Sequence, residues 1–239
     1  MNGLTTELDD RREEFDTHHL LAHALEARLV EGEPLSLGSV ALSARHVSTL
    51  KSGLIVHLYN VEEAIMSRIV RQFGEAIRSS TPRTWTENTL REWLRASALI
   101  TTEGSEDTRL QAAHRTFAAL VFEQGLEPKD PKKPSGTWSD KLIYRFAERL
   151  GVDLNYPPEL YRQLQPEPHW GDQSPLEFLA ERRNALAHGR QSFETGARNL
   201  TLERIRELAD VTFEFLSHTI IGFETHLNGN LHLRPVDVA

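Results

Sequence analysis

The stretch Ser174–Gly189, SPLEFLAERRNALAHG, carries signals for both ends of one helix. Ser174 can cap the first turn, a proline fills the first helical position, and Glu177 is placed to complete a capping box. Gly189 is placed to end the helix in the left-handed conformation. Leucine, phenylalanine and alanine recur at helical spacing between these ends. We therefore predict a helix whose two boundaries are specified by its own sequence.

Helical periodicity extends from this stretch over most of the chain. It predicts long helices over residues 4–30, 42–77 and from Thr201 onward, and shorter helices from Thr86 and over residues 107–124 and 138–150. Internal repeats and convincing alternating strand patterns are absent from the sequence. The expected fold class is therefore all-α, a bundle of about six or seven helices.

Three segments carry more detailed expectations. Residues 156–171 are rich in proline and aromatic residues and are expected to pack over the core as a connector. Residues 1–40 are expected to form a helix and connector that pack on a helical domain spanning residues 41–239. In the helix over residues 107–124, the side expected to face the core carries Leu110, Phe117, Leu120 and Val121.

The chain has 239 residues, a net charge of -8 and no cysteine. This length is sufficient for one large domain or two small ones with a buried core. The lack of cysteine excludes disulfides and cysteine-based metal sites and favours a cytoplasmic location. No apolar run reaches the about 18 residues of a membrane span, and the acidic N-terminus is unlike a signal peptide. The acidic balance argues against extensive phosphate-backbone binding, so any nucleic-acid contact must be local.

The helix predicted first also carries an unusual set of polar residues. Asn184 and His188 lie four residues apart on its polar side and can touch. Arg182 and Arg183 fall on or beside the apolar side, where a charge needs a partner. These arginines are expected to extend outward, to pair with a carboxylate, or to face a second subunit. Glu63, set among apolar neighbours on the second predicted helix, is the carboxylate that we expect near Arg183.

Arginine and histidine together suit ribonuclease chemistry in which the RNA 2′-hydroxyl attacks its own phosphate. A histidine can accept or return the proton, and an arginine can neutralise charge on the phosphate oxygens. Arg183 and His188 differ by about 140° around a helix, so one copy of the chain presents them poorly. Two copies related by a twofold axis would bring both pairs into one cleft. The residues are therefore compatible with a metal-independent reaction, and two packed copies of this helix would present them better than one.

Two other interpretations stay open at this point. His188 and Gly189 also suit an ordinary helix end, where a histidine gains from the helix dipole. His19 and His23 lie four residues apart and are a possible pair of metal ligands, which would indicate a metal hydrolase. That pair has no third ligand at motif spacing in the sequence around it.

A set of basic residues lies in the sequence around the motif. Three lysines occupy a loop rich in proline and glycine, one lies on the next predicted helix, and an arginine follows the motif. Their charge can steer RNA to the site, or they can form an ordinary solvated surface. These residues are Lys129, Lys132, Lys133, Lys141 and Arg190.

Four segments of the chain match known motifs in order. They are LIVHLYNVEEAI (residues 54–65), SGTWSDKLIYRFAERLGV (135–152), RRNALAHG (182–189) and HGRQSFETG (188–196). The third resembles the Arg-(polar)-x-x-x-His signature of the HEPN superfamily. Together the four are similar to the RiboL-PSP / MAE-type HEPN-like nuclease group. The second segment departs from the group at Thr137, where an asparagine is frequent.

This resemblance implies a specific site and assembly. HEPN proteins are all-α and include many metal-independent RNases, so Arg183, Asn184 and His188 become the catalytic candidates and Glu63 and Arg182 the supporting ones. The resemblance also implies no cofactor, a homodimer with a composite cleft, and a role as a toxin or anti-phage effector that an antitoxin or defence-system partner controls. The alternative within the same superfamily is a non-catalytic module that binds nucleotides or another protein.

Overall fold

The computed structural model describes residues 3–32, 36–97, 105–122 and 130–235. These ranges contain eight α-helices: α1 (Gly3–Val30), α2 (Ala44–Arg78), α3 (Glu87–Ser97), α4 (Glu106–Phe122), α5 (Asp140–Leu150), α6 (Pro158–Gln163), α7 (Pro175–Ala187) and α8 (Leu202–Asn228). Two strands of two residues each, β1 (Ser36–Leu37) and β2 (Val40–Ala41), pair in antiparallel fashion. The fold is all-α, as the sequence predicts. Among the described helices, none carries an apolar stretch able to cross a bilayer.

The connector over residues 156–171 packs on the core as expected, but it contains a helix that the periodicity does not predict. Leu160 and Trp170 within it are buried. The helix, α6, is six residues long and begins with two prolines, the second of which occupies its first position. Six residues are too few to show a helical period. The prolines at its start, which also suit the first turn of a helix, indicated a loop instead.

The expected orientation of α4 is wrong. Leu110, Phe117 and Val121 are 66%, 65% and 67% exposed, whereas Ala112 and Thr116 are buried. The two sets lie on opposite sides of the helix. A stripe of large apolar side chains usually marks the buried side of a helix. In α4 the buried side instead carries small residues, which give no strong signal in the sequence.

The chain divides into two compact units. The first comprises Met1–Ile65, Thr137–Lys141 and Tyr156–His218, and the second comprises Met66–Gly136, Leu142–Asn155 and Thr219–Ala239. These two units do not test the expected division into residues 1–40 and residues 41–239, which stays a prediction.

In the first unit, α1 packs against the N-terminal part of α2 and the first part of α8. The Phe15 ring lies 6.0 Å from both His57 and Phe213, measured between ring centroids. Lys51 pairs with Glu26 at 2.5 Å across the same interface. α1 is therefore held by an apolar contact with an ion pair beside it.

In the second unit, aromatic rings stack between helices. Phe146 of α5 stacks on Phe223 of α8 with centroids 6.1 Å apart, and His226 stacks on Phe73 at 5.8 Å. The buried carboxylate of Glu92 on α3 accepts hydrogen bonds from Arg95 and Arg149, each at 3.0 Å from its Nε atom. The second unit therefore has an apolar core of its own, and its buried Glu92 carboxylate is paired with two arginines.

Candidate active site

Both predicted ends of α7 are confirmed. The Ser174 hydroxyl accepts from the Glu177 backbone N–H at 3.1 Å, and the Glu177 carboxylate accepts from the Ser174 N–H at 3.3 Å. Gly189 follows the helix with φ of 68°, in the left-handed region. The Ser174 hydroxyl also donates to the buried Asp140 carboxylate at 2.8 Å. Burial raises the pKa of Asp140, and this hydrogen bond opposes the rise. The start of α7 is therefore fixed to the start of α5.

The predicted proximity of Arg183 and Glu63 is confirmed. Nη2 of Arg183 lies 3.3 Å from Oε2 of Glu63 on α2. Nη1 of the same guanidinium donates to Oδ1 of Asn184 at 3.3 Å. Its Cζ atom lies 4.6 Å from the centroid of the Tyr59 ring. A carboxylate, an amide and an aromatic face thus hold the Arg183 guanidinium in one orientation.

The expectation that Glu63 lies among apolar neighbours is only half right. Its side chain is 40% exposed, and the fully buried carboxylate of this turn is the adjacent Glu62. Tyr59 is buried one turn earlier, where burial, together with the charges of Glu62 and Glu63, raises the pKa of its phenol. The phenol therefore stays protonated near neutral pH and offers Arg183 an uncharged aromatic face.

Asn184 is held by a residue that the sequence pattern does not single out as functional. Its Nδ2 donates to the Thr137 hydroxyl at 2.7 Å, and its Oδ1 accepts from Arg183. The next residue after Thr137, Trp138, donates its backbone N–H to the Tyr59 hydroxyl at 3.2 Å. Thr137 is the position at which the chain departs from the resembled group, and this departure was the available signal.

His188 lies at the C-terminal end of α7 and its side chain is exposed. Its backbone N–H donates to the Asn184 carbonyl at 3.0 Å. Within the described ranges, no residue forms a hydrogen bond with the His188 ring. The Asn184 amide is instead hydrogen-bonded to Thr137 and Arg183, so it forms no described hydrogen bond with the imidazole that lies four residues further along. The imidazole is open to a substrate.

Arg182 faces a different environment from Arg183. Its Nη1 donates to the Gly196 carbonyl at 2.9 Å and to the side-chain oxygens of Gln191 and Asn199 at 3.3 and 3.4 Å. Its Cζ atom lies 4.8 Å from the Phe178 centroid. Burial lowers the pKa of Arg182. Of the two arginines, only Arg183 has the carboxylate partner that the sequence predicts.

The basic residues expected to steer RNA are divided between the two units. Lys141 and Arg190 belong to the first unit, where Lys141 pairs with Glu177 at 2.7 Å and Arg190 is exposed. Lys132 and Lys133 belong to the second unit, and Lys129 lies outside the described residues. Because Glu177 offsets the charge of Lys141, Arg190 is the strongest of these candidates in the first unit. RNA steering stays a prediction.

The histidine pair on α1 has no gathered ligand set around it. His19 Nε2 lies 2.9 Å from the Leu202 carbonyl, and His23 is exposed. Over the described ranges, no three histidine or acidic side chains converge into an arrangement that could hold a metal ion. The metal-hydrolase interpretation therefore gains no geometric support.

A family model described as HEPN_MAE_28990-like HEPN matches residues 2–230 of the chain. The protein belongs to this HEPN family, so the resemblance drawn from the four motifs is confirmed. The match also covers the N-terminal helix, in which no motif was recognised. Membership indicates a nuclease or a nucleotide-binding module. No curated protein and no solved structure matches the chain.

Proposed function

We propose that the protein is a metal-independent endoribonuclease that cleaves RNA by attack of the 2′-hydroxyl on the adjacent phosphate. The observation that carries the proposal is the contrast between two residues of α7. The Arg183 guanidinium is fixed by three contacts, and the His188 imidazole is exposed and free of hydrogen bonds to the described residues. A cation held in a fixed orientation suits charge stabilisation, and an accessible imidazole suits proton transfer.

Each residue has a distinct role in this reaction. His188 accepts the proton of the 2′-hydroxyl as its oxygen bonds to phosphorus and the bond from phosphorus to O5′ breaks. Arg183 donates hydrogen bonds to the non-bridging oxygens, on which negative charge grows. A second imidazole returns a proton to the departing O5′. The products are a 2′,3′-cyclic phosphate and a 5′-hydroxyl, so no water enters this step.

We further propose that the working site is composite and forms in a homodimer. Arg183 and His188 project about 140° apart on α7, so a single copy does not direct both at one phosphate. Two α7 helices related by a twofold axis supply two arginines and two imidazoles to one cleft. This arrangement provides both the base and the acid that the reaction requires.

Cleavage of purified RNA in excess EDTA tests the activity. His188→Ala is expected to lower the rate by about 10²- to 10⁴-fold. Arg183→Ala is expected to lower it by about 10²- to 10³-fold. His114→Ala and Arg115→Ala, at exposed positions of α4 in the second unit, are the matched controls and are expected to cleave at the wild-type rate. Absence of cleavage by the wild type, or equal cleavage by all variants, would instead favour a non-catalytic binding module.

Mixing wild-type and His188→Ala chains tests the composite site. If one cleft needs an imidazole from each copy, mixed dimers are inactive, so activity after co-refolding is expected to fall as the square of the wild-type fraction. A fall in direct proportion to the wild-type fraction would place each site within one chain. Sedimentation of the wild type gives the oligomeric state independently.

The biological role that we propose is that of a toxin or anti-phage effector that a partner protein restrains. The proposal rests on family membership together with the nuclease chemistry, because uncontrolled RNA cleavage would harm the host cell. Induced expression of the wild type is expected to arrest growth, and expression of His188→Ala is not. Equal growth with both would remove the support for a toxic activity.

A further inference from the structure

A cleft opens on the side of α7 that carries Arg182, within the first unit. It has a volume of about 340 Å³ and is bordered by residues 168–173, by α7 and by residues 191–199. Trp170 and Phe178 form an apolar wall, with ring centroids 5.1 Å apart. This volume lies within the range of sites that bind small molecules. The cleft is separate from the contacts that fix Arg183.

The Arg182 guanidinium in this cleft has N–H groups that the described residues do not use as hydrogen-bond donors. Arg182 makes three hydrogen bonds to protein oxygens, all from Nη1 and all to uncharged groups. Within the described ranges, no carboxylate forms an ion pair with it, and Nε and Nη2 have no protein acceptor. A half-buried guanidinium in this state is well placed to donate a pair of hydrogen bonds to a ligand.

An acceptor lies beside this donor. The Glu181 carboxylate also lines the cleft, and its Oε2 accepts from Nε2 of Gln173 at 2.7 Å. A carboxylate has about four acceptor positions, so one hydrogen bond leaves most of them available. The cleft therefore presents a pair of donors and a pair of acceptors at its edge, next to an apolar wall.

We propose that this cleft binds the guanine base of an RNA nucleotide. Guanine presents O6 and N7 as acceptors, which match the arginine donors, and it presents N1–H and N2–H as donors, which match a carboxylate. Adenine has a donor at N6 where guanine has an acceptor at O6. Adenine would therefore leave one arginine donor and one carboxylate acceptor without a partner.

The position of the cleft relates it to the proposed cleavage site. Glu181 precedes His188 by seven residues, which places them on one side of α7 and about 10 Å apart along its axis. A short stretch of RNA backbone covers that distance. As a subsite for substrate, the guanine site rests on the proposed ribonuclease function, and it would direct cleavage to phosphates near a guanosine.

Nucleotide binding tests the site without any cleavage step. Titrations of GMP and AMP into the His188→Ala protein are expected to show at least about tenfold tighter binding of GMP. Glu181→Gln, a change at an exposed position, is expected to abolish that preference. Glu148→Gln, at an exposed position of α5, is the matched control and is expected to retain it. Equal affinities for GMP and AMP, or an unchanged preference in Glu181→Gln, would overturn the proposal.

Mapping of cut sites separates this proposal from the ribonuclease itself. Wild-type cleavage concentrated beside guanosines, and dispersed by Glu181→Gln, would support both. Wild-type cleavage without a GMP preference would refute the guanine site and leave the ribonuclease standing. A GMP preference in a protein that cuts no RNA would keep the site and refute the ribonuclease.

Discussion

The Arg183 guanidinium and the Glu63 carboxylate lie 3.3 Å apart and connect α7 to α2 inside the first unit. Their side chains are 28% and 40% exposed, so water screens the pair. An ion pair of this exposure contributes about 0.2 to 1 kcal/mol to the free energy of unfolding. Its main effect is therefore on orientation, because it aligns the guanidinium that Tyr59 and Asn184 hold from other directions.

Removal of the Glu63 charge is expected to lower activity more than stability. Glu63→Gln keeps the size of the side chain but weakens its hold on Arg183, so kcat/KM for RNA cleavage should fall by about tenfold. The melting temperature should change little. Asp130→Asn provides the control, because it breaks the Arg78–Asp130 pair of the second unit, which has a similar distance and exposure.

A double-mutant cycle then identifies the route of the effect. If Glu63 acts through Arg183, Glu63→Gln has almost no further effect in an Arg183→Ala background. Independent, additive losses would mean that Glu63 contributes to the site by another route. An unchanged kcat/KM in the single variant would show that the pair has no part in cleavage.

The Thr137 hydroxyl is expected to matter as an acceptor for Asn184. Thr137→Val keeps the shape of the side chain but leaves the Asn184 N–H without its partner, so cleavage should fall by about three- to tenfold. Thr137→Ser and Thr137→Asn each retain an acceptor and should stay close to the wild-type rate. Wild-type kcat/KM in Thr137→Val would contradict a role for this hydrogen bond.

Stability is expected to fall as the pH drops below about 6.5. Burial, with a smaller effect of His232, lowers the pKa of His226 to about 4 from its usual value of 6.5. As the pH falls through this range, the unfolded chain therefore binds a proton that the folded chain does not bind. The free energy of unfolding should fall by on the order of 2 to 3 kcal/mol between pH 7 and pH 4. Urea unfolding at pH 7.5, 6 and 5 measures this slope.

His226→Gln is the matched variant for this effect. It removes the titrating group, so its unfolding free energy should depend less on pH than that of the wild type. Burial also lowers the pKa of His232, so a smaller slope should remain. Parallel pH profiles for the two proteins would show that His226 does not control acid stability.

The boundaries of α7 could be predicted because each depends on local chemistry. The capping box at Ser174 and the left-handed Gly189 involve residues within one turn of the helix end, so their signals are contiguous in sequence. Arg183 and Glu63 could be paired because each is conspicuous beside apolar residues. The motifs that indicate the HEPN family are likewise short and ordered.

The remaining features depend on contacts between distant segments. Thr137 meets Asn184 across 47 positions of sequence, and no local pattern marks a threonine as the acceptor. The choice between Glu62 and Glu63 as the buried acid depends on how α2 is rotated against its neighbours. The exposed face of α4 was misassigned for a related reason, since periodicity defines a stripe but not the surface that covers it.

The chemical ends of the RNA products test the central claim most directly. A single RNA oligonucleotide cut by the wild type is expected to yield a 2′,3′-cyclic phosphate and a 5′-hydroxyl by mass spectrometry. The same oligonucleotide with a 2′-deoxy sugar immediately before the cut is expected to stay intact. Products with a 3′-hydroxyl and a 5′-phosphate, or full cleavage of the deoxy oligonucleotide, would contradict attack by the 2′-hydroxyl.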